Sequence, residues 1–307
     1  TSTAEVQACV AAAFRHGVPF VARGSGTGLA GGATPLDQAL VIVLTKMNRV
    51  LSVDPANRLA WVEPGVLNLD LSRQVAHRGL HFAPDPSSQQ SCSVGGNVAN
   101  NSGGPHCLSD GVTASHVLGL EVVLSDGSLV QFGGTEAETP GFDLRGAFVG
   151  SEGMFGIATK VCVRLTQDPP AVRTMLMDFH SVEDGAQTVS AIIAAGMVPA
   201  ALEIMDQLCV KAVEAYIHAD LPVDAAAVLP VEVAGPRHGL EDDVARIIEI
   251  GNAHGARSVR IAKDEAERAL LWKGRKSAFG AIARIKPNYY LHDTVVPRRM
   301  LPQVLRQ

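Results

Sequence analysis

The chain has 307 residues, of which 47% are hydrophobic and 19% are charged, so it carries enough apolar material for a folded core. Its 26 basic and 31 acidic residues give a net charge of −5 without a long run of either sign, which argues against a nucleic-acid-binding protein. No apolar stretch reaches the roughly 20 residues that a transmembrane helix needs. We therefore expect a cytoplasmic protein that binds a small molecule.

Glycine is unevenly distributed, since residues 1–166 contain 22 of the 30 glycines. The length predicts about two domains. We place the boundary in the sequence Gln167-Asp168-Pro169-Pro170, because adjacent prolines form a short, stiff connector. The predicted domains are therefore 1–166 and 167–307.

Both ends of the chain indicate a fragment of something longer. A capping box from Ser2 to Glu5 opens a helix, Glu5 to His16, with no strand before it. The last residues begin a helical pattern at Pro297 that stops within a few turns. We expect a strand to be missing at the N-terminus and a longer segment at the C-terminus.

A glycine-rich loop follows the first predicted strand, Val18 to Ala22. Gly26 to Gly31 has the spacing G-x-G-x-x-G, which after a strand usually indicates a Rossmann dinucleotide site. A Rossmann loop opens a helix, whereas Gly32 and Pro35 interrupt any helix here and the next predicted element is a strand, Ala39 to Leu44. Successive backbone N–H groups in a strand–loop–strand unit can still bind an anion. We therefore predict a diphosphate site in preference to a glycine-rich surface turn, and we disfavour a nicotinamide-dependent Rossmann enzyme.

Two further clusters are rich in glycine, serine or asparagine and poor in charge. The first runs from Pro84 to Gly104, and the second runs from Gly150 to Thr159 and enters an alternating strand, Lys160 to Leu165. Uncharged amides and hydroxyls suit the rim of a bound heteroaromatic ring, because buried polar groups need hydrogen-bond partners. The alternative for each cluster is a solvent-exposed loop.

The second half of the chain alternates strands and helices. Strands are predicted at 172–179, 200–205, 226–234 and 257–261, and helices at 181–195, 206–219 and 241–254. This order, β-α-β-(α)-β-α-β, indicates a ferredoxin-like unit with one inserted helix. A further helix, Asp264 to Phe279, and a strand, Tyr289 to Val296, follow it.

The three loop segments occur in a characteristic order, RGSGTGLAGGA, PDPSSQQSCSVGGNVANNSGG and GSEGMFGIATKV. In this order they resemble the FAD-linked oxidases of the vanillyl-alcohol-oxidase fold, and among these the glycolate oxidase D subunit and D-lactate dehydrogenase family. The resemblance extends through WVEPGV, GFDL, PVDAAA and DEAERALLWKGRKSAF, and thus over nearly the whole chain. It implies an α+β fold, in which an FAD-binding domain is followed by a ferredoxin-like cap domain with an antiparallel sheet.

The resemblance also implies a set of FAD-binding residues. In this family the glycine loop binds the FAD diphosphate, the Gly/Asn stretch lines the isoalloxazine and the Gly-Ile turn holds the adenosine side. Carried over by motif and its flanking residues, the set is Arg23, Gly24, Ser25, Gly26, Thr27, Gly28, Pro84, Asp85, Ser88, Ser93, Gly95, Gly96, Asn97, Ala99, Asn101, Gly103, Glu152, Gly153, Gly156 and Ile157. We expect non-covalent FAD, because members that attach it through the glycine loop have a histidine where this chain has Thr27.

The implied reaction is the oxidation of a small 2-hydroxy acid, of the glycolate or D-lactate type, by hydride transfer to the flavin. The family's W-x-x-R arginine, here Arg275 after Trp272, would bind the substrate carboxylate, which a guanidinium matches with two parallel hydrogen bonds. Arg268, Lys273 and Lys276 on the same helix are expected to be solvated.

The histidines give no local metal site, since the ten of them contain no H-x-H or H-x-x-x-H pair. The family motifs H-x-G-D-G-N-x-H and G-E-H-G-x-G, which supply the catalytic base and in some members a metal site, do not occur in the chain. The base is therefore expected beyond Gln307 and the fragment is expected to be inactive. Within the chain, His106 could lie near the flavin, and His292 could line a pocket but is interpreted as structural.

An alternative function stays open at this point, namely a non-catalytic flavin-binding or electron-relay subunit of a glycolate oxidase complex. Such a related subunit lacks a full cap domain, which favours the enzyme. The expected partners are the 2-hydroxy acid and other oxidase subunits with an iron–sulfur electron acceptor. Through these subunits the protein could lie on the inner face of the membrane.

Overall fold

The computed structural model describes residues 1–136, 140–286, 288 and 290–305. The chain forms two compact units, Thr1–Asp168 and Pro169–Gln307. Their boundary lies inside the segment Gln167 to Pro170.

The first unit mixes short helices with three sets of paired strands. Its strands are β1 Phe20–Arg23, β2 Leu40–Val43, β3 Val50–Asp54, β4 Leu59–Val62, β5 Leu80–His81, β6 Val117–Val123, β7 Leu129–Gly133, β8 Ile157–Arg164 and β9 Thr166–Gln167. Its helices are α1 Thr3–His16, α2 Asn68–Val75, α3 Val94–Asn100, α4 Cys107–Asp110 and α5 Leu144–Phe148, with 3-10 turns at Ala76–Arg78 and Thr113–His116.

The main sheet of this unit has the order β3-β4-β8-β6-β7, with all neighbours antiparallel. Its core is built by inward-facing residues such as Val62, Leu120 and Val161, which are fully buried. β5 pairs with β9, also antiparallel.

Helix α1 confirms the first predicted helix. The Glu5 backbone N–H donates to Oγ of Ser2 at 3.3 Å, as the capping box predicts. The helix ends at Gly17, whose φ of 63° is in the left-handed region that glycine adopts without strain.

The glycine loop joins two parallel strands without a helix. β1 pairs with β2 in the register Phe20 to Leu40, and the 16 residues between Arg23 and Leu40 contain no regular element. The predicted strand–loop–strand unit is therefore confirmed, and the Rossmann interpretation is wrong because no helix follows the loop.

The second unit has a sheet covered by helices on both faces. Its strands are β10 Ala171–Phe179, β11 Ala201–Leu202, β12 Met205–Asp206, β13 Ala227–Gly235 and β14 Ala256–Ile261. Its helices are α6 Val182–Ala194, α7 Gln207–Ile217, α8 Arg237–Ala253, α9 Glu265–Lys276, α10 Ala278–Ala283 and α11 Leu301–Val304, with a 3-10 turn at Arg298–Met300.

The strand order is β11-β13-β10-β14, with β12 also on β13, and all pairs are antiparallel. The central strands are thus β10 and β13. They are the first and third strands in sequence when β11 and β12 are counted as one interrupted strand, as in a ferredoxin-like sheet, and the predicted α+β fold is confirmed. Alternate residues of β13 face opposite helices: Leu229 and Val231 pack with α6 and α8, whereas Val228 packs with α7, α9 and α10.

Three predicted elements differ from the structure. The strand expected at 200–205 is two short strands, because Glu203 lies opposite Pro230 and proline has no N–H to complete the ladder. Helix α8 starts at Arg237, before the predicted 241, with a kink at Gly239. In place of the strand predicted at Tyr289 to Val296, residues 290–296 form no regular element, and Tyr289 lies outside the described residues. None of the described helices is long and apolar enough to cross a membrane.

Candidate functional site

The glycine loop packs against helix α3, which belongs to the second motif. A Cβ atom at Gly24 would collide with Oγ of Ser93, the residue that caps α3. A Cβ at Gly28 would lie 3.6 Å from the side chain of Asn100 at the other end of the helix. The loop therefore lies along the helix at a separation that glycine permits.

The third motif contacts the same helix. The backbone N–H of Glu152 donates to the carbonyl of Ala99 at 2.9 Å, and that of Gly150 donates to the carbonyl of Val98 at 2.8 Å. A Cβ at Gly32 of the glycine loop would lie 3.3 Å from a carboxylate oxygen of Glu152. The three sequence motifs therefore meet around α3.

The glycine loop offers a row of backbone donors. In the described part of the chain, the N–H groups of residues 25 to 28 donate no hydrogen bond. Gly26 has a φ of 73°, and a Cβ there would lie 2.5 Å from Nη2 of Arg23. Consecutive unpaired donors beside a guanidinium fit a diphosphate, because such a concavity binds anions.

Ser93 and Asn97, both predicted FAD-binding residues, are fully buried. Oγ of Ser93 accepts from the Gly96 N–H at 3.3 Å. The Asn97 amide accepts from Nδ2 of Asn68 at 2.9 Å and donates to Sγ of Cys92 at 3.4 Å. These side chains hold the second motif in place, and burial raises the pKa of the Cys92 thiol.

Sequence reasoning missed Asn68. Its Nδ2 also donates to the carbonyl of Pro84 at 2.8 Å, so it joins two parts of the second motif. Its Oδ1 is buried and accepts no hydrogen bond from the described residues. The available signal was a lone amide in the leucine-rich stretch Val66 to Leu71, since buried amides need partners.

Asp85 is buried and paired with His106. Its carboxylate accepts from Nδ1 of His106 at 2.8 Å and from the His106 backbone N–H at 3.3 Å. A Cβ at Gly104 would collide with Asp85. The Pro84–Pro86 segment is thereby fixed to the end of the Gly/Asn stretch, and the contact of His106 is with a predicted FAD-binding residue.

The other predicted residues of the second motif fix the path of its backbone. Asn101 has a φ of 48°, and its Oδ1 accepts from the Ala114 N–H at 2.9 Å. The carbonyl of Ser88 accepts from the Cys92 N–H at 2.8 Å. A Cβ at Gly95 would lie 2.6 Å from Cβ of Pro64, and one at Gly103 would collide with Cys107.

The third motif has a turn with positive φ angles. Glu152, Gly153 and Gly156 have φ values of 52°, 84° and 141°, and a Cβ at Gly156 would lie 2.6 Å from the Val123 carbonyl oxygen. Ile157 is buried and begins β8. Oγ of Ser151 is buried without a partner among the described residues. An unpaired buried hydroxyl in this motif suits the binding of a polar ligand.

In the second unit, helix α9 is fixed by one buried carboxylate. Glu232 on β13 is 2% exposed and accepts from Trp272 Nε1 at 2.5 Å and Thr174 Oγ1 at 2.5 Å. Arg268 donates to both of its oxygens, from Nε and from Nη2, each at 2.8 Å. Arg268 and Trp272 are four residues apart, so they lie on the same face of the helix.

The expected solvation of Arg268 is wrong. Its guanidinium forms a two-pronged ion pair with Glu232, and this hydrogen bonding raises the pKa of Arg268. The reason is tertiary, because the buried carboxylate comes from a strand 36 residues away. Lys273 is exposed and Lys276 is half-buried.

Arg275 lies three residues after Trp272, on the same face of α9. Its Nε donates to Oε2 of Glu203 at 2.7 Å, and the two side chains are 26% and 20% exposed. Cys209 is near this pair, and burial raises the pKa of its thiol, with a smaller contribution from Asp206. Arg275 is thus a half-buried guanidinium with part of its surface accessible.

The histidines that sequence analysis singled out lie in different settings. His292 is exposed, with its ring 4.8 Å from that of Tyr290. Over residues 1–136, 140–286, 288 and 290–305, no group of three or more His, Cys, Asp or Glu side chains is arranged to hold a metal ion.

Comparison with known families gives the class of protein. Residues 1–133 match the FAD binding domain family, and residues 168–307 match the C-terminal domain of FAD linked oxidases. The chain belongs to the FAD-linked oxidases, and its cofactor is FAD.

Two relatives within this class are similar to the chain over almost its whole length. The chain is 47% identical over 301 residues to glycolate oxidase subunit GlcD of Escherichia coli, covering 98% of this chain and 60% of that protein. It is 31% identical to D-lactate dehydrogenase of Anaerostipes hadrus, covering 99% of this chain and 66% of that protein. The chain therefore spans about 60% of the length of the E. coli relative.

A solved structure confirms the fold. The 4-ethylphenol oxidase of Gulosibacter chungangensis, in complex with isoeugenol, superimposes with a TM-score of 0.76 at 23% identity, covering 94% of this chain and 63% of that one. This likeness supports the vanillyl-alcohol-oxidase type of architecture that the motifs predict. The unpaired amides of the glycine loop and the close packing at Gly24 fit FAD as the ligand of the first unit.

Proposed function

We propose that the protein oxidises a small 2-hydroxy acid, of the glycolate or D-lactate type, to the 2-oxo acid. The observation that carries this proposal is the half-buried guanidinium of Arg275, fixed on α9. The two relatives support the substrate class, because glycolate and D-lactate share a carboxylate next to a hydroxyl-bearing carbon.

Arg275 would bind the substrate carboxylate. A guanidinium offers two pairs of parallel N–H groups, and a carboxylate accepts such a pair with both oxygens. Holding the acid in this way fixes the direction of its hydroxyl-bearing carbon and converts the reaction into an oriented, effectively unimolecular step.

The residues of the first unit would hold the cofactor. Bound FAD would supply the acceptor for the hydride that leaves the hydroxyl-bearing carbon. The amides of residues 25 to 28 would bind its diphosphate, and the buried segment around Ser93 and Asn97 would position its ring system. The proton acceptor for the substrate hydroxyl remains proposed to lie beyond Gln307.

The direct test uses the full-length protein with FAD bound. Without oxygen, addition of glycolate or D-lactate should bleach the visible absorption of the flavin. Arg275→Ala should raise the substrate concentration needed by an amount equivalent to about 2–5 kcal/mol, since truncating one partner of a desolvated charge pair costs that much. Arg275→Lys should rescue it poorly, because an ammonium lacks the planar fork.

Lys273→Ala is the matched control, because Lys273 is an exposed cation on the same helix. It should leave the substrate dependence unchanged. Equal behaviour of Arg275→Ala and the control would contradict the proposed role of Arg275.

We also propose that electrons leave through another subunit with an iron–sulfur acceptor, because the E. coli relative is itself named as a subunit. The protein would then be cytoplasmic or peripheral on the inner face of the membrane through such partners. Flavin that is bound but never bleached by a 2-hydroxy acid would instead favour the non-catalytic relay role.

A further inference from the structure

Glu203 makes a single, directional contact with Arg275. Only Nε of the guanidinium donates to it, at 2.7 Å. Among the described residues, the side chain of Arg275 makes no other hydrogen bond or ion pair. The contact therefore uses the side edge of the guanidinium and leaves its terminal edge, formed by Nη1 and Nη2, for another acceptor.

The two residues are held by the same strand. The Glu203 backbone N–H donates to the carbonyl of Pro230 on β13 at 3.1 Å. Glu232, two residues further along β13, fixes α9 through Arg268 and Trp272. Strand and helix thus set the distance between Glu203 and Arg275 before any ligand binds.

Pro230 prevents Glu203 from forming the usual two backbone hydrogen bonds with β13. In an antiparallel ladder, opposed residues of a hydrogen-bonded pair exchange two bonds. Proline cannot return the second bond, so the strand is interrupted at Glu203 and Ile204. The chain keeps one backbone anchor there, and the side chain of Glu203 holds the guanidinium.

We propose that Glu203 is a positioning residue that aims the terminal edge of Arg275 at the substrate carboxylate. This inference rests on the proposed function, in which Arg275 binds that carboxylate. Arginine loses substantial side-chain entropy when it is fixed, and an existing hydrogen bond on Nε removes part of this cost from substrate binding. Glu203 therefore favours substrate binding although it has the same charge as the substrate.

The opposing effect is charge repulsion between Glu203 and the substrate. It is weak here, because both side chains retain solvent exposure, 26% for Arg275 and 20% for Glu203, and charges near solvent are screened. The two effects predict opposite changes in substrate affinity when Glu203 is removed. Removal of Glu203 weakens binding if positioning dominates and tightens it if repulsion dominates.

The experiment measures binding of oxalate, a dicarboxylate with no C–H bond to oxidise, to the full-length protein with FAD bound. Calorimetry gives the Kd for wild type, Glu203→Ala and Glu203→Gln. We expect Glu203→Ala to raise the Kd about tenfold, the loss of a hydrogen bond to a charged group. Glu203→Gln should recover most of the affinity, because an amide oxygen still accepts from Nε. With glycolate or D-lactate, the KM should rise in Glu203→Ala while kcat changes little.

Glu241→Ala is the control, because Glu241 forms a similar ion pair with Arg173 at 2.7 Å elsewhere in the same unit. It should bind oxalate as wild type does. An unchanged or lower Kd in Glu203→Ala would overturn the positioning role, and so would a Glu203→Gln variant as weak as Glu203→Ala.

Arg275→Ala separates this inference from the proposed function. If Arg275→Ala binds oxalate as tightly as wild type, the proposed substrate site is wrong and the positioning role falls with it. If Arg275→Ala binds weakly while Glu203→Ala binds normally, only the positioning role is wrong.

Discussion

Both carboxylate oxygens of Glu232 accept hydrogen bonds from Arg268, each 2.8 Å long, in the interior of the second unit. The same carboxylate accepts from the indole of Trp272. One residue of β13 therefore sets the position of helix α9, and hence of the arginine that follows on the same face.

Glu232→Ala should strongly destabilise the protein. The change removes the acceptor of Trp272 Nε1 and of Arg268 Nε and Nη2, although Nη1 of Arg268 still pairs with Glu265 at 2.8 Å. Breaking a buried ion pair costs about 3–5 kcal/mol. We expect the lower end of this range, because the Arg268 side chain is 28% exposed. Thermal unfolding measures the effect, and Glu249→Ala, at an exposed ion pair with Arg246, should barely change the melting temperature. Similar melting temperatures for the two variants would contradict the assignment.

Gly24→Val should abolish FAD binding and leave the fold of the second unit intact. A side chain at Gly24 collides with Ser93, so the loop can no longer lie along α3. The ratio of visible flavin absorbance to protein absorbance measures FAD content. Gly134→Ala is the control, because a Cβ there meets no atom within 4 Å. Full flavin content in Gly24→Val would place the diphosphate elsewhere.

FAD should be released by acid precipitation of the protein. The oxidases of this family that attach FAD covalently through the glycine loop use a histidine there. This chain has Thr27 at that position. After precipitation and filtration, the flavin absorbance should be found entirely in the filtrate. Flavin retained on the precipitated chain would show a covalent bond at another residue.

The ion pair between Arg49 and Glu63 should make stability depend on pH in the acid range. Burial alone would raise the pKa of Glu63, but the hydrogen bonds and charge of Arg49 outweigh it and hold that pKa below its ordinary value. The folded state thus binds the proton less readily than the unfolded state. The stabilisation is therefore complete above the unfolded pKa of about 4.3 and is lost as the pH falls through the folded value.

Glu63→Gln removes this dependence. The difference in melting temperature between wild type and Glu63→Gln should be large at neutral pH and should shrink as the pH falls below about 4. If the difference in melting temperature is the same at neutral pH and below about 4, the pKa of Glu63 is not lowered by folding.

Local patterns in the sequence predicted correctly the glycine loop with its two flanking strands, helix α1 and most helices and strands of the second unit. The loop at Gly24 to Gly28 is recognisable because its conformation and close packing require glycine, which is a property of each position. The cap of α9 is similarly local, since Asp264 accepts from the Glu267 N–H at 2.9 Å.

Features that depend on distant partners could not be predicted in the same way. The pairing of Arg268 requires the register of β13, which places Glu232 on the face toward α9. The interruption at Glu203 depends on Pro230 lying opposite it, which is visible only when two strands are aligned. A strand was predicted at Tyr289 to Val296, but residues 290–296 pair with no described strand.

The meeting of three motifs on α3 has a consequence for folding. Ser93 follows Gly24 by 69 residues, and Glu152 follows Ala99 by 53, so long loops must close before these contacts form. Contacts of this kind slow folding, whereas the backbone hydrogen bonds and the caps of α1 are local. On the proposed FAD site, FAD would bind the closed arrangement in preference and would stabilise it by mass action. We therefore expect the yield of the natively folded first unit to rise with the concentration of FAD present during refolding.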